Sequence, residues 1–134
     1  MHNLVKGCTF LANHEYLGEL YGKYEDAYDA TVERMIGLGD MPNIGEITKG
    51  ACAKCCTYDV ANMDAEQMFS TLLDIEMSIR QICASYNSSA SLGTQNLLAQ
   101  FADDSEARTY KLKQLVKEGE EREDPIAKLM SFGR

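Results

Sequence analysis

The chain has two histidines, His2 and His14, and a pair of carboxylates, Asp29 and Glu33, spaced by one helical turn. Imidazole and carboxylate together suit iron, manganese or zinc, and a centre only partly ligated by protein leaves positions open for water or an oxidant. At about 100° per residue, with His14 as zero, Asp29 falls near 60° and Glu33 near 100°, while Leu17, Tyr21, Tyr24, Tyr28 and Met35 gather near 280–340°. The polar groups therefore line one flank of an apolar stripe. His14 and Asp29 lie about 22 Å apart on a straight helix, too far to share an ion within one chain. An antiparallel homodimer removes that obstacle, because the His end of one helix then faces the Asp-Glu end of the other and two equivalent sites result. Taken alone, a His and acidic residues on a helix flank are also what an ordinary solvated face carries.

A second group is Cys52-x-x-Cys55-Cys56. Its spacing fits part of a structural zinc site, to which Cys83 could add a ligand, or a redox pair. Against zinc, there is no second C-x-x-C pair and neither His is near in sequence, so the simpler reading is a set of small thiols on a loop. Cys8 makes the total five, and an odd number without an export signal predicts reduced thiols and a cytoplasmic home.

The elements that must position these residues are helices. Apolar residues at Leu17, Leu20, Tyr21, Tyr24, Tyr28, Val32 and Met35 predict a helix from about Phe10 to Leu38, ended by Gly39 and Pro42. Residues 40–61 read as a long connection holding the Cys cluster, with at most a short helix. A second helix is expected from Asn62 or Asp64 through Met68, Leu72, Ile75, Ile79, Ile82 and Cys83, broken at Asn87-Ser88-Ser89. The third opens near Thr94, presents Leu97, Phe101, Leu112, Leu115 and Val116, and stops at Gly119. Residues 120–134 read as a C-terminal tail with a short helix at most over 126–132, after Pro125. No stretch alternates as a strand would, so the class is all-α.

With 134 residues, the chain is expected to form one domain over 1–134. Thirteen basic against 21 acidic residues give a net charge of −8, which disfavours direct nucleic-acid binding. No apolar run approaches the roughly 18 residues of a membrane span.

Particular motifs carry a family resemblance. His2-Asn3-Leu4-Val5-Lys6-Gly7, Phe10, His14-Glu15, Asp29-Ala30-Thr31-Val32-Glu33-Arg34, Leu38-Gly39-x-x-Pro42 and Thr94-Gln95-Asn96-Leu97-Leu98 together resemble the Dps-type miniferritins of the ferritin-like superfamily. The resemblance implies a ferritin-like helical bundle with three long helices in this chain, the fourth missing or supplied by a partner. It also implies Fe²⁺ binding, peroxide-linked oxidation and iron storage or detoxification at intersubunit di-metal sites. Its ligand set would be His2 and His14 from one subunit with Asp29 and Glu33 from the two-fold partner. The implied assembly is a homo-oligomer, at least a two-fold dimer and at most the family's dodecameric shell. The sequence departs from the pattern at Gly18, where family members usually carry an Asp, at Asn3 in place of Trp, and at Ala90-Ser91 in place of Gly-Asp. Those departures keep an alternative alive, a non-catalytic ferritin-like subunit with a structural or interaction role. A ligand at position 2 is expected to sit on a frayed end of the chain.

Overall fold

A computed structural model describes residues 1–120, which contain no strand: α1 (Phe10–Gly37), α2 (Ile44–Cys55), a 3₁₀ turn (Val60–Asn62), α3 (Ala65–Asn87) and α4 (Leu92–Glu120). The tail expected over 120–134 lies, beyond Glu120, outside the described residues. Contacts group the chain into two units, Met1–Ala65 and Glu66–Arg134. No helix among the described residues is long and apolar enough to cross a membrane.

In the first unit, the N–H groups of Leu4 and Val5 both donate to the Met1 carbonyl, at 2.9 and 3.0 Å, and Val5 is buried. This turn gives position 2 a fixed place instead of the expected frayed end. Gly7 then takes φ +112°, a left-handed value open to glycine, and the chain enters α1. The far end of α1 closes in a Schellman motif: Asp40 N–H donates to Met35 O and Gly39 N–H to Ile36 O, both at 3.0 Å, with Gly39 at φ +93°. The stop expected at Gly39 thus has a defined geometry.

The expected long connection over 40–61 contains a twelve-residue helix, α2. Asn43 Oδ1 accepts the Glu46 N–H at 3.2 Å as its N-cap. Glu46 in the first turn and Lys54 in the last also match the helix dipole. Those caps were readable as N-x-x-E; the missing apolar period hid the helix, since no residue of α2 is buried.

The core side of α1 is rotated from the predicted stripe. Asn13, Leu17 and Leu20 are buried, but Tyr21 is 59% exposed and Tyr28 41%. Tyrosine tolerates this because its hydroxyl seeks a polar partner, and Tyr21 Oη–H donates to Glu25 Oε1 at 2.6 Å.

In the second unit, α3 and α4 form a hairpin. Ser91 opens α4, its hydroxyl accepting the Thr94 N–H at 3.4 Å while Gln95 Nε2–H donates to Ala90 O at 2.9 Å. Met68, Phe69, Leu72, Cys83 and Leu112 are buried. Ile82, expected inside, is 55% exposed, and α4 runs through Gly119 to Glu120 instead of stopping there.

Candidate metal centre

The first turn and α1 bring the two histidines together. The imidazoles of His2 and His14 stack with ring centroids 4.0 Å apart and planes 25° from parallel. Phe10, one turn before His14, stacks on the His14 ring with centroids 5.1 Å apart. His14 Nδ1 lies 3.0 Å from the carbonyl oxygen of His2. A carbonyl only accepts, so Nδ1 carries the proton in this contact, and in the neutral ring Nε2 keeps its lone pair. This is the second-sphere arrangement that orients an imidazole for a metal ion. Both rings are half-buried, and Asn13 is held beside them by its Nδ2–H bond to Thr9 Oγ1 at 2.9 Å.

Asp29 and Glu33 stand on the same helix, exposed and one turn apart. The rise of α1 keeps Asp29 about 22 Å and Glu33 about 28 Å from His14. Within one chain the structure therefore joins His2 to His14 and leaves Asp29 and Glu33 apart from them. Gly18, one turn beyond His14, stands against the His2 ring, where a Cβ would approach Nε2 to 3.2 Å.

Cys52 and Cys55 lie on the last turn of α2 and Cys56 caps it, so they belong to a helix and not to a loop. Their thiols, like that of Cys8, are in no disulfide and are exposed, whereas Cys83 on α3, also in no disulfide, is buried. Burial pushes the Cys83 thiol above its ordinary pKa. Among the described residues, no group of three or more His, Cys, Asp or Glu is placed to hold a metal ion by itself.

One polar cluster escaped the sequence reading. Arg108 donates to Glu76 through Nε at 2.6 Å and Nη2 at 3.1 Å, and Glu76 is wholly buried. Ser105 Oγ donates to the Glu76 carbonyl at 3.1 Å. Arg80 Nη1 donates to Thr109 Oγ1 at 2.6 Å and to Ser105 Oγ at 3.2 Å. The available signal was a carboxylate at Leu72 + 4 inside one apolar stripe and a guanidinium at Leu112 − 4 inside the other. A bidentate pair this deep ties the two helices together and exposes no open coordination position. A cleft of about 480 Å³ also opens on this unit, lined by Arg80, Cys83, Asn87, Leu98 and Ala102 among others, and holds none of the four predicted ligands.

Compared with known families, residues 1–121 match the ferritin-like domain. No curated protein and no solved structure matches the chain. The match takes in the paired histidines, all of α1 and the α3–α4 hairpin, and by it the chain belongs to the ferritin-like domain family.

Proposed function

We propose that the chain is a Dps-type subunit that binds Fe²⁺ between two copies of itself, oxidises it with peroxide and stores or detoxifies the product. The observation that carries this reading is the His2–His14 pair, with His14 Nε2 left as a free donor, on the same flank of α1 as the exposed Asp29 and Glu33. Iron is the substrate. Two ferrous ions each give one electron to hydrogen peroxide, its O–O bond breaks, and two protons complete two waters. The residues bind and orient the ion: imidazole nitrogens from one chain, carboxylate oxygens from the other, which also offset its positive charge.

An antiparallel pairing that sets His14 opposite the 29–33 turn places the two-fold axis near Gly22. A Cβ there would meet nothing within 4 Å, so a second helix has room to approach. Tyr21, Tyr28 and Ile36 are exposed on the adjoining strip of α1 and supply apolar surface for that contact. The experiment is peroxide-driven Fe²⁺ oxidation followed by ultraviolet absorbance, beside sedimentation of the same sample. The native chain is expected to be a dimer or larger with fast oxidation, and Asp29→Ala/Glu33→Ala to oxidise at background rate. Equal traces would sink the reading.

One observation favours the alternative, a non-catalytic ferritin-like subunit. Gly18 stands where a carboxylate is expected, which removes one donor from the set. On that reading His14→Ala changes assembly or stability and leaves metal binding as it was.

A further inference from the structure

The last turn of α2 and its cap carry three thiols, Cys52, Cys55 and Cys56, all exposed and none in a disulfide. None belongs to the ligand set proposed above. Their spacing decides what they can do together. Cys55 and Cys56 are adjacent, so their Cα atoms stand about 3.8 Å apart, short of the roughly 4.4–6.8 Å that a disulfide spans. Cys52 and Cys56 are four residues apart, about 6 Å between Cα atoms on a helix, and Cys56 N–H is bonded to Cys52 O at 3.0 Å, which holds that spacing. Cys52 and Cys55 are the closest pair inside the window, at about 5 Å. They also share one side of α2, and a helical side chain leans toward the N-terminus, so Cys55 leans back toward Cys52.

We propose that Cys52 and Cys55 form a reversible dithiol couple whose substrate is a small-molecule disulfide. One cysteine thiolate attacks a sulfur of the substrate, the substrate S–S bond breaks, and its first thiolate leaves behind a mixed disulfide. The second cysteine thiolate attacks the bonded cysteine sulfur, closes Cys52–Cys55 and expels the second substrate thiolate. Two electrons pass from the cysteines to the substrate, and the two cysteine protons end on the two released thiols. With the second thiol held one turn away, the mixed disulfide is short-lived. The same helix keeps the product from becoming permanent. The two Cβ atoms stand about 5–6 Å apart on neighbouring turns, against about 3.5–4.5 Å in a disulfide, so closure strains the last turn. A strained, exposed disulfide is a labile one. The strain stays local, because α2 has no buried residue whose packing closure would disturb.

The test incubates the full chain with oxidised glutathione, blocks the remaining thiols by alkylation, and digests the unfolded product with trypsin, which cuts after Lys54, between Cys52 and Cys55. Mass spectrometry of the native chain is expected to find the Gly50–Lys54 and Cys55–Arg80 peptides joined by a disulfide, and to find them separate again after excess reduced glutathione. Cys56→Ser should behave as native. Cys52→Ser and Cys55→Ser should lose the joined peptides and retain glutathione as a stable adduct on the remaining partner. All three thiols are exposed, so these exchanges leave the core intact. Joined peptides that persist in Cys55→Ser assign the bond to Cys56 and overturn the proposal. Glutathione adducts that accumulate on Cys52 or Cys55 of the native chain, or a bond that survives excess reduced glutathione, overturn it as well.

Discussion

The two units handle charge in opposite ways. The α3–α4 hairpin buries it, with Glu76 and Arg108 meeting through two hydrogen bonds and Arg80 reaching two hydroxyls. Along α1, Asp29 and Glu33 stay in water, and the His2–His14 pair is half-buried at the other end. A buried charge that is paired and hydrogen-bonded has spent its interactions on the fold. A charge left in solvent keeps its lone pairs for something that arrives. On the proposed reading, the comparison separates structural from ligand-binding chemistry within one short chain, although both are made from the same residue types.

The most direct attempt to break it is Arg108→Ala, which deprives a buried carboxylate of its guanidinium. A loss of about 3–5 kcal/mol in urea unfolding is expected, and Glu76→Met/Arg108→Met should recover most of it. A single variant as stable as native would mean that this cluster is not structural. Next comes Asp29→Ala/Glu33→Ala, which should leave the unfolding free energy within about 0.5 kcal/mol of native while abolishing metal-dependent behaviour. A large destabilisation there would erase the contrast between the units.

Thiol chemistry sharpens the same contrast. With a disulfide reagent, Cys8, Cys52, Cys55 and Cys56 should react at once, and Cys83 only slowly or after unfolding, since its burial both shields it and disfavours the thiolate. Five fast thiols would show that the hairpin opens readily. The smallest effect belongs to Tyr21, whose bond to Glu25, reinforced by that carboxylate's charge, raises its pKa above the usual tyrosine range. The raised value makes a contribution that is present below the ordinary tyrosine pKa and fades as pH rises through the folded one. Glu25→Gln should bring the phenolate absorbance of Tyr21 in at lower pH, and the loss of stability near neutrality should be small because the pair is exposed to solvent.

How far the sequence could be read depended on where period and composition agreed. Helices α1, α3 and α4 were legible because apolar residues recur at helical spacing and end at Gly39 and Asn87. Helix α2 was legible only as a short helix within a long connection, because its faces are all exposed and its signal lay in Asn43 and Glu46. The burial of Tyr21 was overestimated by treating aromatic rings as purely apolar; the carboxylate one turn away drew its hydroxyl outward. The candidate ligands were named from residue type and spacing together with a family resemblance, but the stacking of His2 on His14 needs a turn whose closure rests on Val5 and Gly7. The Glu76–Arg108 pair needed knowledge of which stripe faces which, and that emerges only when two helices are folded against each other.

The bond from His14 Nδ1 to residue 2 ends on a main-chain oxygen and not on the His2 side chain. Every amino acid supplies that oxygen, so exchanging the side chain at position 2 leaves the restraint on His14 in place. Position 2 is thus a socket into which cysteine, aspartate or glutamate can be plugged beside a fixed imidazole. On the proposed intersubunit reading, a small panel of such exchanges would vary one donor while His14 keeps its orientation.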